Sequence, residues 1–327
     1  MDRARRSLSL LALTFCVAVP SFPADEVPPA GPSAPVPGVE SDAKSKRPFN
    51  VFFVNVGQGD SQYIELPNGQ NALIDGGPSK ARIRTFLESK GVTRIDHVVL
   101  THPHDDHYKG LNYVFDELQV SNFYDTKIDN TGAQGDNTLR QKAVDEPGCA
   151  IHYPRPGEAL DWGEGVSAKV FNSCPDPVTS GSGLDGGAEI NNCSIVIRVS
   201  AEGRSAFFSG DVQSQAESAM VSRFGAELKS DILKVPHHGS AESSSQAFLD
   251  AVKPGRAVLS VGKNGYGLPT DVVLSRFQAM GIPVHRTDVD GTLDGSSLFD
   301  KLLAAIGLKL PASLPLAFED APAPPAE

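Results

Sequence analysis

An apolar run that reads as a buried strand, Ile95-Asp96-His97-Val98-Val99-Leu100, opens directly into Thr101-His102-Pro103-His104-Asp105-Asp106-His107. Four side chains able to ligate a metal, His102, His104, Asp106 and His107, therefore fall within six positions. Imidazole and carboxylate at this density pack poorly against apolar neighbours, but each offers a lone pair to a divalent cation. His102 and His104, two apart on extended backbone, point the same way. Asp106 and His107 follow at the start of a predicted helix and present their ligands from another side, so one short segment serves one or two ions. The alternative, a solvated His/Asp loop without a ligand, is disfavoured because such clusters rarely lack a role.

Two further strand ends carry the same kind of residue. Phe207-Phe208-Ser209-Gly210-Asp211 sets an acid immediately after an apolar strand. Asp211 suits a cap for the helix predicted to begin near Gln213, and it equally suits a carboxylate bridging two cations, one oxygen on each. Asp231-Ile232-Leu233-Lys234-Val235-Pro236-His237-His238-Gly239-Ser240 places a His pair after a third apolar run. Three ligand-bearing strand ends favour a shared metal over three separate local explanations.

Periodicity predicts strands at 50–56, 61–66, 72–75, 95–100, 120–124, 166–171, 194–199 and 206–208, with further apolar runs at 231–235 and 256–261. Helical spacing covers 80–90, 111–118, 213–224, 244–252 and 271–280. Residues 125–165 carry no clear pattern. Strands with interspersed helices, given twice, fit two sheets packed face to face with helices outside, an α/β sandwich.

The ends of the chain read differently. Arg3, Arg5 and Arg6 precede an apolar run from Leu8 to Val19, the order of a secretory signal, placed here at residues 1–24. That run is too short to span a bilayer comfortably, and no second apolar span follows. Residues 25–48 are a Pro/Ala-rich disordered linker and 311–327 a similar tail, which leaves 49–310 as the folded domain. Export implies a periplasmic or secreted protein without a transmembrane domain in its mature form. The chain carries a formal charge of −11, and loss of Asp2, Arg3, Arg5 and Arg6 with the signal would take this to about −13. So acidic a protein is not built to grip long duplex DNA through its phosphates. Of the cysteines left, Cys149, Cys174 and Cys193, the pair flanking the Gly/Ser-rich insert, Cys174 and Cys193, is the first choice for a disulfide in an oxidising compartment.

The combination Asn55-Val56-Gly57-Gln58-Gly59-Asp60-Ser61, Leu73-Ile74-Asp75-Gly76-Gly77, Thr101 to His107, Gly210-Asp211 and Val235-Pro236-His237-His238-Gly239-Ser240 resembles the metallo-β-lactamase superfamily. Within it the chain is most similar to the hydrolase domain of ComEC/Rec2-type competence proteins. Asn191-Asn192-Cys193-Ser194 and Asn264-Gly265-Tyr266-Gly267-Leu268-Pro269 also resemble motifs of that branch. The resemblance implies an αββα sandwich with a site for divalent metal, Zn²⁺ or Mn²⁺, one or two ions. Carried over, it implies His102, His104 and Asp211 at one ion and Asp106, His107, Asp211 and His237 at the other, with Asp75 behind the His loop orienting it.

This sequence departs from the family pattern at three places. Asn192 stands where most members have a third His, Leu268 where related proteins have His, and Lys109 where a glycine is usual. The expected activity is hydrolysis of a phosphodiester, nuclease-like, by a hydroxide bound at the metal, with Asp106 and His107 at its catalytic heart. His238, Ser240, Asn264, Tyr266 and Asn192 are candidate contacts to phosphate or leaving group, with local help from Lys109, Lys234 or Lys263. Small phosphodiesters or single-stranded nucleic acid are the expected substrates. A lactone, thioester or β-lactam hydrolase on the same site is the alternative within the fold, and a secreted, non-catalytic DNA- or partner-binding module the alternative outside catalysis. His97 sits within the strand preceding the motif and is expected to be packed, and His152 and His285 lack acidic or His neighbours at ligand spacing and are expected not to ligate.

Overall fold

The computed structural model describes residues 48–130, 135–174 and 186–305. The expected signal segment, the linker up to residue 47 and the 311–327 tail lie outside the described residues. In chain order the strands are β1 (Asn50–Phe53), β2 (Gln62–Glu65), β3 (Asn71–Ile74), β4 (Arg94–Val99), β5 (Gln119–Tyr124) and β6 (Ala150–His152), then β7 (Ala159–Leu160), β8 (Ser167–Asn172), β9 (Val196–Ala201), β10 (Arg204–Phe208), β11 (Ile232–Lys234), β12 (Arg256–Leu259), β13 (Val284–Arg286) and β14 (Leu293–Asp294). The first six form one sheet, β1-β2-β3-β4-β5-β6, and the next seven form a second, β13-β12-β11-β10-β9-β8-β7. β14 returns to the first sheet and pairs with the edge of β1.

Alternation along the strands explains the layering. Val51 and Phe53, Ala72 and Ile74, Ile197 and Val199, and Ala206 and Phe208 point into one shared core between the sheets. Their neighbours Phe52 and Leu73 face a second apolar cluster under the helices Lys80–Ser89, Leu111–Glu117 and Asp136–Asp145. Val196, Phe207, Leu233 and Leu259 face a third, under Ser214–Phe224, Gln246–Val252 and Asp271–Ala279. Strands apolar on both faces must be covered on both, and the four-layer arrangement does this.

Residues 125–165, without a pattern in the sequence, supply the helix Asp136–Asp145 and the short edge strands β6 and β7. At two or three residues, these strands are too brief for alternation to register. The last described helix, Gly295–Ala305, was also not expected; it closes the sandwich by placing Leu298 and Phe299 in the inter-sheet core. A disulfide joins Cys174 to Cys193, as expected, and Cys149 is free. No helix among the described residues is long and apolar enough to cross a membrane.

Each sheet changes from antiparallel to parallel pairing at its middle. β3, β4, β5 and β6 run parallel, as do β10, β11, β12 and β13. Parallel strands deliver their C-terminal ends to one side of a sheet, where ligand sites of α/β folds form. Ile74 pairs with Val99 and Phe208 with Lys234, so the segments carrying Asp75, the His-rich run, Asp211 and the His237-His238 pair leave the sheets side by side.

Candidate metal centre

Asp75 is the hidden anchor of the site. It is fully buried, with φ +57°, and accepts hydrogen bonds from Thr101 N (2.8 Å), Thr101 Oγ1 (2.7 Å) and His107 Nδ1 (2.7 Å). The first of these bonds pins the loop leaving β4, and the last aims His107 Nε2 away from Asp75. Behind them Gly76 N donates to His107 O and Gly110 N to Gly77 O. A side chain on Gly110 would collide with the Gly76 carbonyl, so this approach requires glycine.

The imidazoles share one arrangement. His102 Nδ1 lies 3.1 Å from Thr101 Oγ1 and 3.2 Å from Ser194 Oγ, and His238 Nδ1 donates to Ser260 O at 2.7 Å. With Nδ1 engaged, the Nε2 atoms of His102, His107 and His238 converge on Asp211 Oδ2, at 4.0, 3.2 and 3.2 Å. Asp106 closes the ring, its Oδ2 lying 3.2 Å from His238 Nε2 and its Oδ1 3.8 Å from His107 Nε2. His104 Nδ1 faces His102 Nε2 at 3.0 Å. Ligands held tetrahedrally at metal bonds of about 2.0–2.1 Å are separated by roughly 3.3 Å, so these spacings match a metal cage. His238 Nε2 is buried without a hydrogen-bond partner, although two carboxylates face it. A cation between those groups would satisfy all of them, and the residues fit a divalent metal.

The charges in the cluster support one another. Burial opposes a proton on His107, but Asp211, Asp75 and Asp106 hold its pKa well above the ordinary value. Burial likewise works against His238, which Asp211 and Asp106 nevertheless push up to about 10. Against the upward pull of burial, His107 and His238 bring Asp106 down to about 2. Burial also raises Asp211, but His238, His107 and Lys234 outweigh it and keep its pKa well below the usual range. Burial, with His107 beside it, lowers His102 well below normal. A divalent cation would take the place of the protons on His107 and His238, so binding is coupled to their release.

Several expected residues take other places. His238, offered from sequence only as a substrate contact, is the one within reach of Asp106 and Asp211. His237, the expected ligand, is absent from the His/Asp groups close enough to share an ion among the described residues. Its Nε2 instead lies 3.4 Å from Asn191 Nδ2 at the cleft wall. Both residues have left-handed backbone, φ +48° and +52°, and the His238 ring, anchored through Nδ1 to Ser260 O, is the one that faces the carboxylates. Asn192 does not face the cleft. Its Oδ1 accepts from Gln213 N and Ala216 N, capping the helix Ser214–Phe224, and Asn191 lines the cleft in its place.

Asn264 is committed to its own loop: its Nδ2 donates to Gly262 O and Leu268 O, and its Oδ1 accepts from Tyr266 N and Leu268 N. It thereby displays Tyr266, 80% exposed, at the rim. Ser240 and Leu268 also line the cleft, which has a volume of about 700 Å³. Lys109 pairs with Asp105, Lys263 is exposed outside the cleft, and Lys234 is buried. No Lys or Arg lines the cleft among the described residues. His97 stacks on Trp162 and His152 on Tyr124, while His285 pairs through β13 with β12, so all three lie in packing positions.

Sequence reasoning passed over Asp60 as a site residue. Asp60 is buried against Lys234 and lies 3.5 Å from His238 Nδ1. A lysine inside the apolar run Ile232 to Val235 was the available signal, because a charge buried in a strand needs a counter-charge.

Residues 54–263 match the family described as the metallo-beta-lactamase superfamily. The chain belongs to that superfamily. Its fold is the superfamily's metal-dependent hydrolase fold. This superfamily chain is 28% identical over 263 residues to ComE operon protein 3 of Bacillus subtilis (strain 168), covering 74% of its own length and 32% of the relative's. It is 30% identical over 251 residues to Competence protein ComA of Neisseria gonorrhoeae, covering 73% and 31%. The chain thus spans about a third of the length of the curated relatives it matches. Among solved structures it resembles the metallo-beta-lactamase fold protein YhfI from Bacillus subtilis, with a TM-score of 0.50 and 11% identity over 76% of this chain and 99% of that one. That likeness concerns the fold.

Proposed function

We propose that this superfamily member is an exported, metal-dependent phosphodiesterase acting on single-stranded nucleic acid or small phosphodiesters. The observation that carries the reading is the convergence of His107 and His238 on Asp106 and Asp211, each imidazole Nε2 lying 3.2–3.8 Å from both carboxylates, at an open cleft lined by Asp106, Asp211 and His238. His102 forms a further group with His107 and Asp211 and extends the set toward a second ion, whereas His104, 3.0 Å from His102, enters no such group among the described residues. Nitrogen and oxygen donors without thiolate suit Zn²⁺ or Mn²⁺. Such an ion, once bound, supplies Lewis acidity and a water of lowered pKa.

The protein's own groups do the rest. Asp106, partly exposed at the cleft floor and ionised, accepts a hydrogen bond from the attacking water and orients it toward the phosphorus. Asn191 and Ser240 on the wall offer polar groups to phosphate oxygens. Tyr266 at the rim is a stacking surface for an unpaired base, an interaction of about 1–3 kcal/mol. A cleft bordered by Asp105, Asp106, Asp211 and Glu242, with no Lys or Arg lining it among the described residues, favours short or single-stranded substrates over duplex. Relatives named for competence and recombination favour nucleic acid over a lactone or β-lactam. The Cys174–Cys193 disulfide supports an oxidising, extracytoplasmic setting.

The test is to load the purified full chain with Zn²⁺ or Mn²⁺ and assay single-stranded DNA, duplex DNA, a chromogenic phosphodiester and a β-lactam in parallel. Cleavage of the first and third, abolished in Asp106→Ala, is expected. A metal-loaded protein that cleaves no phosphodiester refutes the reading.

A further inference from the structure

Asp211 does not present both carboxylate oxygens to the histidines. Its Oδ2 is the common focus of His102, His107 and His238, whereas its Oδ1 lies 3.4 Å from the Lys234 ammonium. Lys234 is fully buried, and its Nζ also donates to Gly210 O at 2.9 Å, the carbonyl preceding Asp211. The ammonium therefore grips both the backbone and the side chain of one ligand-bearing turn. Its charge is matched by Asp60, equally buried, in direct ion pairing with Nζ. Asp60 comes from the loop between β1 and β2, so the pair ties the first sheet to the second directly behind the cluster.

Burying an ammonium and a carboxylate carries a heavy desolvation cost, and a hydrophobic pair of the same shape is often as stable. The location of this pair suggests what it does instead. We infer that Lys234, neutralised by Asp60, is a positioning residue that occupies Asp211 Oδ1 and so confines Asp211 to one-oxygen ligation through Oδ2. This rests on the metal-site part of the proposed function and not on its substrate. A carboxylate free at both oxygens can swing to chelate a single ion with both, drawing its oxygen away from the point that His102, His107 and His238 share. With Oδ1 occupied, that oxygen stays where both ligand sets reach it. Asp60 adds a second hold: it lies 3.5 Å from His238 Nδ1, which donates to Ser260 O, and so borders the ring that faces Asp211 from the other side.

The test exploits charge balance. Removing Lys234 alone would strengthen cation binding through simple electrostatics and mask any loss of geometry. Asp60→Asn with Lys234→Met removes both members and leaves the net charge unchanged, so a change in metal affinity reports positioning. Co²⁺ titration of the full chain, read by its visible spectrum and by chelator competition, is the measurement, with circular dichroism verifying the fold. The double variant is expected to bind Co²⁺ about 10- to 100-fold more weakly, the range for partners behind metal ligands, with weaker visible bands as coordination rises. Asp60→Asn with Lys234→Leu, likewise neutral in net charge, serves as the second variant should the first not fold, with the same weakening expected.

Affinity and spectrum of the double variant equal to wild type, with only the melting temperature changed, would make the pair merely structural and overturn the inference. The second double variant binding as tightly as wild type, with an unchanged spectrum, would overturn it as well. A wild type that binds Co²⁺ normally yet cleaves no phosphodiester would refute the substrate reading and leave this one standing. A wild type that takes up no Co²⁺ would end both.

Discussion

Replacing Asp75 by Asn tests how far the site depends on a residue that never touches the cleft. Both side chains tolerate the left-handed backbone found here at φ +57°, so the turn survives. The amide oxygen can still accept from Thr101 N, now bound to Oδ1 at 2.8 Å. Its NH₂ must then take the place of Oδ2, facing Thr101 Oγ1 and His107 Nδ1, each 2.7 Å away. The hydroxyl can turn and accept. His107 Nδ1 can accept only by moving its proton to Nε2, the atom that points at Asp211, and an Nε2 so protonated cannot ligate. The loss is one buried hydrogen bond to a charged group, about 1.5–3 kcal/mol, or roughly 10- to 100-fold in metal affinity at 1.4 kcal/mol per tenfold. Zn²⁺ affinity by competition with a chromophoric chelator, with circular dichroism as a fold check, reads this directly. A folded Asp75→Asn protein with Zn²⁺ affinity within twofold of wild type would refute the reasoning.

The three remaining predictions concern the His pair, pH and the helix cap. His238→Ala should lower metal affinity by more than tenfold, because it deletes an Nε2 lying 3.2 Å from two carboxylates, whereas His237→Ala should change it by less than threefold; chelator competition on both variants decides, and the reverse order would reassign the ligand. Because the folded-state pKa of His238 is raised to about 10, its protonated form stabilises the metal-stripped protein fully below about pH 6.5, and that contribution disappears as pH rises toward 10; melting curves of chelator-treated protein should therefore fall between pH 6.5 and 10, and a flat profile there would contradict the charge assignment. Asn192→Ala should cost about 1 kcal/mol of stability through loss of the Ser214–Phe224 cap while leaving metal affinity unchanged, as chemical denaturation and metal titration on the same sample would show.

Much of the architecture could be read before any coordinates. Strands such as Val51 to Phe53 and Ala206 to Phe208 are apolar on both faces, and such strands need layers on both sides. The donors at the ends of β4 and β10 could likewise be recognised, because a His/Asp cluster following an apolar strand has few packing explanations. Where pattern length was too short, the reading stopped: β6, β7 and β14 have two or three residues each, too few for a period of two to show. Asp60 and Lys234 were visible as charges beside apolar runs, but their partnership spans 174 positions of chain, and nothing local joins them.

The amino-acid order by itself determined which donor types are present, that they sit at the C-terminal ends of buried strands, and that those strands belong to a layered α/β fold. It did so because side-chain chemistry and strand periodicity are local properties. Which of two adjacent residues reaches the site was decided only in three dimensions. In the left-handed turn at His237 and His238 it is the second ring, anchored to Ser260 O, that faces inward, and the helix start at Ser214 claims Asn192 and leaves Asn191 to the cleft. The single oxygen that Asp211 turns toward the histidines was settled in the same way, by an ammonium from the neighbouring strand and a carboxylate from the opposite sheet. These are angular choices between near-equivalent neighbours, and packing and buried charge balance make them.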